Sequence, residues 1–133
     1  MDPKTVTAAL PVVLLLHGLG HGGAIAALAW IAARPGDPTG GWHAARSWLL
    51  SGLPPTSATA LACTFWAAAL VGFVAAALAL AGVLVPAEAL RPLALGAAIV
   101  SLAGIGLFAG TWPAFNTIAA VIVNAGVLVA VAR

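Results

Sequence analysis

Two histidines four residues apart are the side chains in this sequence with the clearest potential for chemistry. His17 and His21 lie in the segment LLLHGLGHGG, the only place where histidine or charged side chains enter a long apolar run. On a helix this spacing places both imidazoles on one face, about one turn apart. An imidazole can ligate a divalent metal, bind haem iron as an axial ligand, or relay a proton near neutral pH.

Each of these chemistries meets a limit in the rest of the chain. The pair supplies two metal ligands, and no Asp, Glu or Cys lies at matching depth in another apolar segment. Two histidines on one helix cannot coordinate the iron from opposite faces of one haem. A haem would therefore need a second copy of the chain or a single axial ligand. Proton-coupled carriers usually also hold an intramembrane carboxylate. A purely structural role, with neutral imidazoles hydrogen-bonded inside a bundle, stays open beside these alternatives.

The composition indicates a protein that lies almost wholly in a membrane. The chain has 133 residues, of which 63% are hydrophobic and 6% charged, whereas about a quarter of the residues of soluble domains are charged. Its mean hydropathy is +1.14. The net charge of +2 is small and forms no basic patch, which excludes a nucleic-acid partner.

Four apolar segments are each long enough to cross a bilayer, which takes about 20 helical residues. The sequence predicts an all-α, four-helix transmembrane bundle of up-down-up-down topology in one domain, with spans at about residues 5–33, 58–85, 92–109 and 114–132. A longer loop follows the first helix. Within it, residues 42–53 are predicted either as a short interfacial helix or as an ordered loop with tryptophans at the headgroup level.

Polar side chains in the third and fourth spans are candidate partners for the histidine pair. Asn116, Thr117 and Asn124 lie in the last span, and Ser101 lies in the middle of the third. An asparagine amide in lipid needs hydrogen-bond partners, so this face of the last helix is expected to point inward. Asn124 is near mid-depth, as the histidines are, and we expect it to approach them.

Two glycine pairs predict close packing between helices. Gly18 and Gly22 flank the histidine face of the first span, and Gly106 and Gly110 lie at the end of the third. Small residues at this spacing let a second helix come near in lipid, where packing and hydrogen bonds replace the hydrophobic drive.

The segment at residues 15–21, together with Trp112-Pro113 and Asn124, resembles small four-helix bacterial integral membrane proteins with an HGLGH-type first helix. The resemblance implies a four-helix membrane fold and carries no activity with it. Small multidrug carriers, by contrast, place a glutamate in the first helix, and this chain has none there.

We expect a non-enzymatic multi-pass membrane protein that binds a small ligand, a metal ion or a haem-like group at His17 and His21. No nucleophile lies beside a base and an orienting carboxylate, as acyl transfer would require. One alternative is a small transporter or channel subunit that passes protons, ions or a small solute. Another is a scaffold or accessory subunit of a membrane complex. The expected partners are the lipid bilayer and either further copies of the chain or the subunits of such a complex.

The number of spans and the distribution of cations predict an orientation. Four spans place both termini on one side, which carries Lys4, Arg91 and Arg133, against Arg34 and Arg46 on the other. Because cytoplasmic loops carry an excess of Lys and Arg, both termini are expected in the cytoplasm. The expected location is the bacterial inner membrane.

Overall fold

The computed structural model describes the backbone of residues 3–36 and 39–132, and the side chains from residue 10 to residue 131 within those ranges. The helices are α1 (Pro3–Ala33), α2 (Pro55–Leu80), α3 (Leu90–Leu107) and α4 (Ala114–Ala132), and a short 3-10 turn, Ala87–Ala89, leads into α3. The described ranges contain no strand. All four helices are long and apolar enough to cross a membrane. The predicted all-α four-helix fold is confirmed.

The helix ends follow from local backbone chemistry. α2 ends at Leu80, five residues before the predicted end, because the chain then takes left-handed conformations at Gly82 (φ 69°) and Leu84 (φ 61°). Glycine adopts such a conformation without steric cost, so it stops helices readily. α2 begins with Pro55 at its first position, where the missing N–H would be unpaired in any case.

Helices that are neighbours in sequence pack against each other, so that α1 lies along α2, α2 along α3 and α3 along α4. The first and last helices approach each other far less closely in the described part of the chain. We call this looser contact the α1–α4 seam. This order of packing is that of an up-and-down bundle.

The glycines that allow helices to pack closely are not the pair predicted at the end of α3. A Cβ built on Gly72 would lie 2.8 Å from the Cβ of Ala97, and one on Gly104 would lie 2.9 Å from the Cβ of Phe65. The prediction that Gly106 and Gly110 pack against another helix of the chain is wrong, since a Cβ at either would meet no described atom within 4 Å. Gly110 instead allows the turn after α3, with φ 86°.

Gly18 and Gly22 do face α2, as predicted for the first pair. A Cβ on Gly18 would lie 3.1 Å from the Cβ of Phe73 and 3.3 Å from the carbonyl oxygen of Leu70. A Cβ on Gly22 would lie 3.6 Å from a methyl of Leu70, which is ordinary contact. Gly18 therefore sets the distance between α1 and α2.

Buried apolar side chains form two clusters at different depths. The loop-side cluster includes Leu28, Ala58, Trp66, Phe108 and Trp112. The terminus-side cluster includes Leu14, Phe73, Ala94 and Val127. The two clusters form the core of the bundle, and the level between them contains other side chains.

The loop after α1 is ordered but not helical between residues 42 and 53. The interfacial-helix alternative is therefore wrong, and the segment is an ordered loop, as the other alternative predicted; that its tryptophans lie at the headgroup level stays a prediction. The backbone N–H of His43 donates to the carbonyl of Thr111 at 2.9 Å, and the indole N–H of Trp48 donates to the carbonyl of Gly106 at 2.7 Å. Carbonyls at a helix end have no partner within the helix. The loop therefore lies across the α3–α4 turn and covers that end of the bundle.

Candidate functional site

The inward face of α1 carries the histidine pair. Leu14, Ala24 and Leu28 share this face and are at most 2% exposed, as expected from helical spacing. His21 is fully buried and His17 is half-buried. Both rings therefore point into the protein, and only His17 reaches its surface.

A chain of three hydrogen bonds joins the two rings through α4 and α3. The Nε2–H of His17 donates to Oδ1 of Asn124 at 3.1 Å, and Nδ2 of Asn124 donates to Oγ of Ser101 at 2.7 Å. A hydrogen bond of 3.1 Å then joins Oγ of Ser101 to Nε2 of His21. The direction of the bond between His17 and Asn124 follows from the amide, since a donating Nδ2 leaves Oδ1 as the acceptor. The expected approach of Asn124 and Ser101 to the histidines is confirmed.

This hydrogen-bond chain occupies the level between the two apolar clusters. On α1 the histidines come between Leu14 and Ala24, which belong to different clusters. Ser101 and Asn124 are likewise fully buried between residues of the two clusters on α3 and α4. Because backbone groups in the middle of a helix are paired with one another, the four side chains form one polar layer between the two apolar clusters.

Aromatic side chains enclose the polar layer from both sides. Phe73 meets the ring of His17 edge-on, with centroids 4.6 Å apart, and stacks on His21 at 6.0 Å. On the opposite side Trp112 lies 5.3 Å from the His21 ring and 5.4 Å from Trp66. Sequence reasoning does not single out Phe73, because nothing distinguishes one phenylalanine in an apolar span from another.

Four buried polar atoms beside this layer have no hydrogen-bond partner among the described residues. They are Nδ1 of His21, Nε1 of Trp66, Oγ1 of Thr111 and Nε1 of Trp112. The contacting rings of Trp66 and Trp112 therefore hold two indole N–H donors without an acceptor among the described residues.

A cleft of about 180 Å³ lies in the α1–α4 seam beside His17. Its walls are Leu16, His17 and Gly20 of α1, five residues of α4 from Phe115 to Val123, and Trp42 and Trp112. Trp42 comes from the loop and packs on Trp112 with ring centroids 5.9 Å apart. Leu16 and Phe115 are 62% and 81% exposed at its edges. The cleft therefore opens sideways on the apolar outer surface of the bundle.

The other predicted polar residues take no part in the hydrogen-bond chain. Asn116 is exposed and lines the cleft. The hydroxyl of Thr117 donates back to the carbonyl of Pro113 at 3.2 Å, a common arrangement for threonine in membrane helices. The structure thus brings together His17, His21, Ser101 and Asn124 and leaves these two outside.

The arrangement fits neither a metal ion nor a haem held by both histidines. Each Nε2 is engaged with a different partner, and the rings are inclined at 70° with centroids 5.0 Å apart. Within the described part of the chain no group of three His, Cys, Asp or Glu side chains could hold a metal. The cleft of about 180 Å³ is smaller than the roughly 300–1,000 Å³ of sites for drug-sized ligands, so a macrocycle would require the helices to move apart.

No family model, curated protein or solved structure matches this chain.

Proposed function

We propose that this chain is a non-enzymatic multi-pass membrane protein that binds a small ligand in the α1–α4 cleft, with His17 as its central polar contact. One observation carries the proposal: His17 belongs both to the buried hydrogen-bond chain and to the wall of the cleft. The half-buried imidazole is held by a hydrogen bond on one side and faces an open cleft on the other. A ligand in the cleft can therefore contact it directly.

The remaining members of the polar layer position His17. Asn124 holds its Nε2, Phe73 packs against its ring, and Ser101 ties Asn124 to His21. A side chain fixed in this way loses little conformational freedom on binding, and preorganisation of that kind raises affinity. The buried histidine is therefore a positioning residue, and His17 is the one that touches the ligand.

Transport along the same polar residues has weaker support. The polar layer is a single level, with apolar clusters above and below it on α1, α3 and α4. Passage of an ion or a proton across a membrane requires polar groups or water along the whole path. A binding site at one level agrees with this arrangement better than a transport path does.

The proposal includes insertion in the bacterial inner membrane with both termini in the cytoplasm. This orientation is supported by the excess of cations on the side of the termini. Arg91 is exposed at the start of α3, and Lys4 and Arg133 lie outside the described side chains. Fusion of a fluorescent protein to the C-terminus should give fluorescent cells, and fusion of a periplasm-dependent phosphatase should give inactive enzyme. The reverse pair of results would contradict this orientation.

Comparison of ligand content between variants tests the binding function. Wild-type protein purified in mild detergent should retain a small molecule that mass spectrometry detects in near-stoichiometric amount. The variant His17→Phe should lose it, because the polar contact is removed while a ring still fills the space. The matched control is His43→Phe, in which an exposed loop histidine is replaced. Equal small-molecule content in all three proteins would contradict the proposal.

A further inference from the structure

The hydrogen-bond chain uses only one of the two ring nitrogens of His17. Nε2 lies 3.1 Å from Oδ1 of Asn124, and this oxygen accepts because the amide nitrogen of the same side chain donates to Ser101. A neutral imidazole carries one proton, so His17 holds it on Nε2 and keeps the lone pair of Nδ1 free. Nδ1 of His17 is therefore a hydrogen-bond acceptor.

This acceptor is open at the cleft. Nδ1 of His17 has no hydrogen-bond partner among the described residues, but it is not shut off from the surface as the unpaired Nδ1 of His21 is. His17 is half-buried and lines the cleft, whereas His21 is fully buried and lies outside the lining. An accessible acceptor in a mostly apolar wall indicates what the occupant must supply, namely a hydrogen-bond donor.

The lining favours an uncharged donor. Its polar side chains are His17 and Asn116 beside two indoles, and it contains no Lys, Arg, Asp or Glu. An ammonium group would therefore meet no carboxylate in the cleft, and an unpaired charge in such a place is strongly disfavoured. Among uncharged donors, a hydroxyl brings a single polar atom, whereas an amide also brings a carbonyl that needs a partner of its own.

The shape and opening of the cleft indicate the rest of the ligand. Trp42 and Phe115 offer aromatic surface against which a ring packs well. The cleft lies between two helices that are long and apolar enough to cross a membrane, and its exposed edges are the apolar side chains of Leu16 and Phe115. A ligand that enters from the bilayer can therefore leave an apolar tail there.

We propose that the ligand is an uncharged, lipid-soluble aromatic alcohol of the phenol class, whose hydroxyl donates a hydrogen bond to Nδ1 of His17. This inference rests on the proposed function and names the ligand class for the same site. The ring of the ligand lies against Trp42 and Phe115, and its apolar remainder passes Leu16 into the lipid.

Three radiolabelled probes with the same decyl chain test the ligand class. They are para-decylphenol, which donates, para-decylanisole, whose methyl ether can only accept, and para-decylbenzoate, which is charged. With wild-type protein in lipid nanodiscs, the phenol should bind saturably at one per chain and about tenfold more tightly than the ether, the effect of one hydrogen bond. The benzoate should show only the non-saturable partition of protein-free nanodiscs. Equal affinities for the phenol and the ether, or saturable binding of the benzoate, would overturn the proposal.

Two variants and a control assign the contact to Nδ1 of His17. In His17→Gln the amide reaches as far as Nε2 does, so the bond to Asn124 can form while the acceptor at Nδ1 is gone. This variant should bind the phenol and the ether equally. Gly20→Leu should abolish saturable binding of both, because its side chain extends into the cleft, where a Cβ meets no described atom within 4 Å. The control His43→Gln, at an exposed loop histidine outside the cleft lining, should keep the preference for the phenol.

The outcomes separate this inference from the function on which it rests. A preference for the phenol that survives in His17→Gln, or saturable binding that survives in Gly20→Leu, overturns the inference. If no probe binds but wild-type protein still carries a small molecule that His17→Phe loses, the ligand class is wrong and the binding function stands. If no probe binds and the small-molecule contents of wild type and His17→Phe are equal, both proposals fail.

Discussion

The α2–α3 interface and the α1–α4 seam solve the problem of helix association in opposite ways. At the interface, Gly72 and Gly104 remove side-chain bulk where Ala97 and Phe65 approach, to a degree that leaves no room for a Cβ. At the seam, the helices stay apart, a hydrogen bond of 3.1 Å joins His17 to Asn124, and a cleft remains. Between helices in lipid, close packing and hydrogen bonds are the available attractions. The interface uses the first, and the seam relies on the second.

The interface also carries the larger groove, yet its chemistry differs from that of the seam. A shallow groove of about 690 Å³ runs along the outer side of α2 and α3. Its one polar lining side chain is Thr64, whose hydroxyl donates to the carbonyl of Ala60 at 2.9 Å. A groove of this kind suits acyl chains, whereas the smaller cleft at the seam offers hydrogen bonds. Polar content, and not volume, distinguishes the candidate site.

Filling the close contact at the interface should have the largest effect of any change discussed here. A Cβ on Gly72 would already lie 2.8 Å from the Cβ of Ala97, so Gly72→Leu forces α2 and α3 apart. The expected loss of stability is about 3 kcal/mol. It is measured by titrating the protein in mixed micelles with a denaturing detergent and following the circular dichroism.

The matched control is a glycine on the open side of the same helix pair. Gly96→Leu places the same side chain on α3, where a Cβ meets nothing within 4 Å in the described chain. It should raise stability slightly, by about 0.5 kcal/mol, because leucine loses less backbone entropy in a helix than glycine does. Equal losses in the two variants would mean that the interface does not depend on the close approach at Gly72.

Removing the central member of the hydrogen-bond chain should have the next largest effect. Asn124→Leu keeps the branched shape of the side chain but removes the hydrogen-bond partner of His17 and Ser101. The expected cost is about 2 kcal/mol, because two buried hydrogen bonds are lost. The control Asn116→Leu, at an exposed site on the same helix, should cost less than about 0.5 kcal/mol. If the same denaturant titration gives equal costs, the seam is not held by its polar contact.

The loop that covers one end of the seam should respond more weakly. Trp48 is 70% exposed, and its indole N–H donates to the carbonyl of Gly106. Trp48→Phe keeps an aromatic ring and removes this hydrogen bond. The expected loss of about 1 kcal/mol lowers the local stability of the loop. Limited proteolysis should cut the loop faster than in wild type, while Trp30→Phe should be cut at the wild-type rate. A loop that is equally resistant in both variants would show that the Trp48 bond does not hold it.

Much of the helical arrangement could be predicted because it depends on local patterns. The four apolar segments, the inward face of α1 and the approach of Asn124 to the histidines follow from length, periodicity and the cost of a bare amide in lipid. Depth along a helix is readable from residue counts, so partners at equal depth can be matched. Ser101 is a candidate hydrogen-bond partner of the histidines for the same reason.

The predictions failed where a contact depends on how helices rotate and end. Gly106 and Gly110 have the spacing of a packing pair, but α3 ends between them and Gly106 faces away from the other helices. Gly72 and Gly104 have no glycine four residues away, and they form the close contacts. The cleft could not be anticipated either, since the distance between α1 and α4 depends on the packing of every helix between them.

Two glycines on α1 give the smallest and sharpest test of the contrast between packed and open helix faces. Gly18 faces α2, where a Cβ would lie 3.1 Å from that of Phe73, while Gly20 lines the cleft, where a Cβ meets no described atom within 4 Å. Gly20→Ala should raise stability by about 0.5 kcal/mol, because alanine loses less backbone entropy in a helix. Gly18→Ala receives the same gain but must push against α2, so its net effect should be a loss. If both variants gain equally, the α1–α2 contact is as yielding as the seam, and the contrast between the two kinds of helix contact does not extend to α1.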